Sequence, residues 1–225
     1  MTFSIAARCP ETGQFGIAIS SSSIAVGARC PWLLPGVGAV STQNITLPSL
    51  GPETLALMEQ GLAPAEALDK VLTRNGYSQY RQITAIDHLG RTAHFSGAQT
   101  LGNHNAVSGE HCVAAGNMLA DRSVIEAMVA AFEHGEGQLA DRLLAAMKAA
   151  IAAGGEAGPV HSAAMIVVGE LTWPIINLRV DWADENPIGE LEKLWDAYRP
   201  QVQDYIDRAL APDKSPGYGV AGDDR

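Results

Sequence analysis

A threonine stands second in the chain, directly behind a methionine, in the opening MTFSIAARCPETGQFGIAISSSS. Methionine ahead of a small residue is commonly trimmed during synthesis, and trimming leaves that threonine with a free α-amino group. Such an amine has an unperturbed pKa of about 7.7 to 8.0. Near neutral pH it can therefore take the proton from its own hydroxyl, directly or through one water. Thr2 would then supply nucleophile and base together, as N-terminal threonines can. Without that chemistry, Thr2 is simply a small second residue.

An acyl-transfer site also needs donors for the developing oxyanion. Gly116-Asn117 offers close backbone approach and a side-chain amide, although Gly-Asn pairs are equally frequent turn formers. Ser20 to Ser23 place four hydroxyls in a row. In a strand, alternation sets Ser21 and Ser23 on one face and Ser20 and Ser22 on the other. Thr42 and Gln43 form a polar pair at the end of a third strand pattern and are expected to bind substrate. Arg29 and Arg81 are expected anchors for a carboxylate, whose shape a guanidinium fork matches; the plainer role for either is an ion pair. Asp181 is placed to pair with Arg179 or another arginine as scaffold.

Six histidines offer a rival chemistry. His88 and His94 flank one hairpin pattern, and His104 and His111 follow near Glu110. Three histidines and a carboxylate suit zinc, but no HExxH spacing occurs, so neither metal nor other cofactor is expected. His161, beside Ser162, could instead touch a substrate pocket. Cys9, Cys30 and Cys112 show no CxxC spacing and leave an odd thiol, which fits reduced cysteines.

These residues need elements to hold them. FSIAAR, the turn PETG and QFGIAIS predict a hairpin. VGAVSTQ (37 to 43) predicts a third strand. ETLALMEQG and PAEALDKVLTRNG predict two short helices, with Pro52 and Pro64 near their starts and Gly61 and Gly76 past their ends. YRQITAIDHLGRTAHFSGA reads as a second hairpin about HLG, and HCVAAGNML as a strand reaching Gly116-Asn117. DRSVIEAMVAAFEHG and QLADRLLAAMKAAIAAGG repeat apolar residues at three and four, the helical period. SAAMIVVGE and TWPIINLRVDW predict a third hairpin, and NPIGELEKLWDAYRPQVQDYIDRAL a helix broken at Pro200. Hairpins imply antiparallel sheets, and helix pairs between them imply an α+β layered domain. No Gly-rich phosphate loop or alternating strand-helix order supports a doubly wound fold.

The 225 residues are 47% hydrophobic and 18% charged, with a formal net charge of −10. Enough apolar material is present for one large core. We expect a single domain over residues 1–210 and a flexible tail over 211–225. The acidic balance argues against nucleic acid and anionic membranes as partners. No apolar run approaches the roughly 20 residues of a spanning helix. With no signal-peptide pattern at the start, the expected location is cytoplasmic. A small molecule is the expected partner, with a homodimer also open.

Several segments, in the same order, resemble the bacterial domain-of-unknown-function family 1028, placed among the N-terminal-nucleophile (Ntn) hydrolases. They are TFSIAARCPETGQFGIAISSSSIAVGARCPW, GVGAVSTQ, RQITAIDHLGRTAHFSG, AAGNML, HSAAMIVV and LRVDWADENPIGEL, spanning roughly residues 2 to 195. The resemblance implies a four-layer αββα sandwich of two mainly antiparallel sheets. It also implies a threonine nucleophile at Thr2 after methionine loss, with Ser21 matching the family pattern and the Thr42-Gln43 strand as the nucleophile's neighbour. Cys9 and Ser22 depart from that pattern, standing where an Asp and a basic residue are usual. The expected activity is hydrolysis of a small amide. A non-catalytic metabolite-binding or assembly protein on the same scaffold, and a metallohydrolase, stay open beside it.

Overall fold

The computed structural model describes residues 1–223. Among the described residues, ten strands form two antiparallel sheets. The larger contains β1 (Thr2–Arg8), β2 (Phe15–Ser21), β7 (Asn105–Gly109), β8 (Cys112–Asn117), β9 (Ser162–Val168) and β10 (Ile176–Val180). Its order, β10-β9-β2-β1-β8-β7, puts β1 in the interior of the sheet. The smaller sheet runs β3-β4-β5-β6, from β3 (Pro31–Leu34), β4 (Gly38–Asn44), β5 (Arg81–Asp87) and β6 (Thr92–Ser96).

Alternation along the strands sorts the core into three layers. Phe3, Ile5 and Ala7 face one way, packing with α3 (Ser123–Glu133), α4 (Leu139–Ala152) and α5 (Pro187–Tyr198). Ala6, Ile17, Ile19 and Ala164 face the other way, meeting Ala39 and Ile86 of the smaller sheet. Val40, Ile83 and Ala85 of that sheet pack beneath α1 (Leu50–Glu59) and α2 (Pro64–Arg74). The result is an α+β layered domain, as the hairpins and helix pairs imply, and the αββα sandwich that the family resemblance implies. Trp195 seals α5 onto α4, buried and donating its indole N–H to Asp141 Oδ1 at 2.8 Å.

Two strands depart from expectation. The Gly/Pro-punctuated GARCPWLLPG contains β3, where Pro31 is tolerated because it opens an edge strand. β7 is likewise an edge, built from NAVSG, whose weak apolar pattern hides its ladder with β8. At Pro200 the last helix breaks as expected: α5 gives way to a 3₁₀ turn at Arg199–Gln201 and then to α6 (Val202–Leu210). Of the tail 211–225, residues 224 and 225 lie outside the described residues. Arg208 donates to the carbonyls of Pro216 and Gly217 and stacks over Tyr218, so that stretch turns back along α6. No helix among the described residues is long and apolar enough to cross a membrane.

Candidate active site

The register of the larger sheet lines up four polar residues at one end. Thr2 lies opposite Ser21 on one side and Asn117 on the other, and Ser21 lies opposite Ser162. Cross-strand partners share a face, so Ser162, Ser21, Thr2 and Asn117 form one row toward the smaller sheet. Thr2 is only 6% exposed. Its Oγ1 stands 3.3 Å from Ser21 Oγ, and both hydroxyls donate to the carbonyl oxygen of Met1.

Ser21 in turn meets Ser23 Oγ at 2.8 Å, and Ser23 Oγ accepts from the Arg29 guanidinium at 2.6 Å. Arg29 thus reaches the row through two hydroxyls, which polarise one another along the chain. It also caps the carbonyls of Ile24 and Ala25. Ser162 Oγ donates to Ser23 O and accepts from Val26 N, holding the turn after β2 against β9. His161 is pinned beside Ser21 by its own N–H, which donates to Ser21 O at 2.8 Å. Its ring stacks on Trp182 with centroids 4.4 Å apart, and its Nδ1 meets Ala183 O.

Beneath the row, a buried amide network joins the sheets. Gln82 Oε1 accepts from Gln43 Nε2 at 2.8 Å and from Asn117 Nδ2 at 3.1 Å. Gln82 Nε2 donates to Gly116 O and Ser96 Oγ, both at 3.0 Å. Gln43 also donates to Ala115 O and accepts from Ser4 Oγ at 2.7 Å. Buried amides of this kind persist because most of their polar atoms are answered by one another.

Gly116-Asn117 is therefore not a turn: both residues belong to β8. A Cβ at Gly116 would stand 2.7 to 3.2 Å from Leu119, Ile125 and Phe3, so its smallness serves packing on the helix side. Asn117 spends its amide donor on Gln82, leaving Oδ1, an acceptor, unpaired. The donor nearest the Met1 carbonyl is the Ser21 hydroxyl. Thr42 faces away from the row, its Oγ1 donating to Leu47 O, whereas Gln43 faces into the network. Arg81 donates to the carbonyl of Ile45 and meets no carboxylate among the described residues. Thr2, Ser21, Gln43, Asn117 and Arg29 are brought together; Thr42 and Arg81 are not part of that group.

Three non-glycine residues with positive φ cluster where these strands end: Ala25, Asn44 and Met118. Asn44 Oδ1 accepts from Leu101 N, and Met118 N donates to Leu101 O, so the strand ends are tied across the mouth of the sandwich. Such conformations persist where surrounding contacts over-determine them.

Sequence reasoning missed Ser4, Gln82 and Glu156. The first two sit at inward positions of apolar strands, a break in alternation that is a usable signal. Glu156, in the loop after α4, carries none. It pairs by a single bridge with Leu119, is 5% exposed, and its carboxylate oxygens make no well-formed hydrogen bond among the described residues, Ser22 lying nearby. Burial pushes it up to about 8, against the pull of the Met1 ammonium and of Ser22. No three His, Cys, Asp or Glu side chains among the described residues group closely enough to hold a metal ion. Cys9, Cys30 and Cys112 are free thiols. Asp181 forms the expected fork with Arg179.

Fold and site together define an αββα sandwich with a threonine-centred polar row at one end of its larger sheet. The chain belongs to a family of unknown function (DUF1028), whose model matches residues 2–191. A crystal structure of protein SPO2555 from Silicibacter pomeroyi, assigned to that family, is 35% identical, covering 92% of this chain and 93% of its own, with a TM-score of 0.84. Anbu (ancestral beta-subunit) from Yersinia bercovieri is similar at 10% identity, covering 97% and 100% of the two chains, with a TM-score of 0.44. No protein of curated function matches.

Proposed function

We propose that the protein is an N-terminal-nucleophile amidohydrolase acting on a small amide, with Thr2 as nucleophile once Met1 is removed. The observation that carries this reading is the Thr2 hydroxyl, buried in an interior strand beside Ser21, with both hydroxyls already on one carbonyl oxygen. That carbonyl stands in for the group a substrate would present.

In the reaction, Thr2 Oγ attacks the amide carbon and its proton passes to the α-amino group, directly or through one water. Negative charge gathers on the carbonyl oxygen, where the Ser21 hydroxyl donates, backed by Ser23 and Arg29. Donors of this kind are typically worth about 2.7 to 4 kcal/mol. The C–N bond then breaks, the leaving amine takes the proton from the Thr2 ammonium, and an ester remains on Thr2. Water adds to that ester with the same amine as base, releasing the acid and restoring the hydroxyl. Asn117 and Gln43 hold the floor through Gln82.

Intact mass spectrometry with an amine- and hydroxyl-reactive electrophile, such as an epoxyketone, tests the reading. A stoichiometric adduct located on Thr2 and absent from Thr2→Ala is the expected result. Active protein that retains Met1 overturns the free-amine mechanism. Function that survives Thr2→Ala intact points to the non-catalytic scaffold.

A further inference from the structure

The amide network fixes which end of Asn117 faces its surroundings. Backbone carbonyls can only accept, so those of Gly116 and Asn105 require the NH2 of Gln82. Gln82 Oε1 is thereby turned the other way, and it draws in the NH2 of Asn117 at 3.1 Å. Asn117 is left presenting its oxygen, Oδ1, which is buried and has no hydrogen-bond partner among the described residues. A buried acceptor is costly in that state.

The backbone fixes a second direction. Arg8 donates its N–H across to His111 O, at the start of β8. N–H groups along a strand alternate sides, and the β1–β8 register is unbroken from Thr2 to Ala7. The nitrogens of Ala6, Ser4 and Thr2 therefore point to β8 as well. Ser21 agrees, since its carbonyl accepts from His161 N on the β9 side rather than from β1. Thr2 nitrogen thus looks at Asn117, its register partner. While Met1 is attached, that nitrogen has a single hydrogen, which the ladder uses. Loss of Met1 adds one hydrogen in the amine and two in the ammonium, beside the residue that holds an unanswered oxygen.

We propose that Asn117 Oδ1 accepts from the freed α-amine of Thr2, which makes Asn117 the positioning residue of the general base. This rests on Thr2 as the nucleophile. With one N–H on the Asn117 backbone carbonyl and the other on Oδ1, the lone pair of the neutral amine is turned away from β8. It then faces the Thr2 hydroxyl, which stands 3.3 Å from Ser21 Oγ on the other side. The bond to Oδ1 is charge-assisted once the amine has taken the proton, so it favours the transfer. Gln82 acts one step further out, since by holding the NH2 it keeps the oxygen presented. The two amide ends thus divide from the role expected of Asn117 in the sequence: it accepts from the base, and Ser21 donates to the oxyanion. The charged and titratable groups about this end of the sheet are Arg29 after β2, Arg81 on β5, Glu156 after α4 and His161 ahead of β9. None is altered in the variants below, so a change among them reads position 117.

The test uses the full-length protein with Met1 removed and its threonines labelled with a heavy carbon isotope. The Thr2 Cβ signal, identified by its absence from Thr2→Ser, is followed by NMR as the amine is titrated, and thermal melts establish that each variant folds. Asn117→Leu keeps the volume and removes the acceptor. Its midpoint is expected to fall by about one pH unit or more, the worth of a hydrogen bond to a charged group. Asn117→Asp keeps an acceptor in either state: neutral, it donates to Gln82 and accepts with its other oxygen; ionised, it adds an opposite charge. Its midpoint should stand at or above the native one. If Asn117→Leu does not fold, Asn117→Ala is read in its place. A midpoint unmoved or raised in the apolar variant overturns the proposal and leaves Asn117 a structural residue. So does a fall in Asn117→Asp as large as that in the apolar variant. Epoxyketone labelling separates these outcomes from the choice of nucleophile. Labelling of Thr2 with an unmoved midpoint keeps the nucleophile and overturns the proposal; a shifted midpoint without labelling keeps Asn117 on the amine and overturns the nucleophile.

Discussion

Replacing Gln82 by methionine keeps the length and approximate volume of the side chain but removes its amide. Five hydrogen bonds go with it: from Gln43 Nε2 and Asn117 Nδ2, to Gly116 O and Ser96 Oγ, and a long one of 3.4 Å to Asn105 O. Their loss is unequal. Gln43 Nε2 keeps Ala115 O, 3.1 Å away, and Ser96 lies on an edge strand where water can replace the amide. Asn117 Nδ2 has no such reserve, whereas Gly116 stays in the ladders with β1 and β7. A buried polar group left without its partner costs about 1–3 kcal/mol, and a loss of about that size is predicted. In a chain of this size each kcal/mol lowers the melting temperature by about 2–4 °C. Urea unfolding measures it: the midpoint falls while the slope is unchanged. Gln43→Met should also destabilise, and the double variant should lose less than the two single losses combined by about 1 kcal/mol, because both singles break the Gln43–Gln82 bond. A loss below about 1 kcal/mol for Gln82→Met, with an unchanged slope, would refute the reasoning, since the stranded groups would then have found other partners.

Gly38→Ala sets a Cβ 2.3 Å from the Ile86 carbonyl oxygen and 3.3 Å from Asp87 Cα, backbone that cannot move without opening the β4–β5 ladder; a loss of about 1–3 kcal/mol is expected in the same urea assay. A thiol reagent at pH 8 should modify Cys9 first, because hydrogen bonds from Thr12 and Glu11 hold it below the ordinary thiol value although burial pushes the other way. Cys112, pushed up to about 12 by burial and by Glu133, should stay silent until the protein unfolds; peptide mapping of the first adduct checks the order. Glu156, pushed up to about 8 from 4.5, keeps in the folded chain a proton that the unfolded chain releases above about pH 4.5. Its contribution to stability is therefore full below that pH and is lost as pH rises through about 8, at no more than about 1.4 kcal/mol per pH unit. Urea midpoints at pH 5, 6.5 and 8 should show that decline, and Glu156→Gln should flatten it; an identical profile in the variant refutes the assignment.

Most elements are legible from local pattern. Alternation exposes β1, β2, β5 and β9 because each has a dry face or two. The helices show themselves because proline and glycine punctuate a three-and-four apolar spacing. β3 and β7 escape because edge strands need less apolar character, and Pro31 reads as a breaker until its edge position is known. Within the site, Thr2 and Ser21 are visible as hydroxyls at strand ends that a hairpin must bring together. The Gly116-Asn117 pair is visible as polar chemistry at the end of a strand, but whether it continues the ladder or turns is not, since turn and ladder use the same two residues.

What the sequence by itself determined is the set of strands and their faces, for periodicity is a local property, and with them the pairing of Thr2 with Ser21, which the first hairpin enforces. Only the tertiary structure decided which groups answer one another across long separations. Asn117 reaches Thr2 through β8, Gln82 takes Asn117's donor from the opposite sheet, and Arg29 acts through Ser23. Glu156, 155 positions from Met1, becomes its neighbour only when the loop after α4 closes over the strand ends. These relations depend on sheet order and on burial, which no window of residues contains. The same Glu in an open loop would be an ordinary ionised carboxylate; enclosed there, burial pushes it up to about 8.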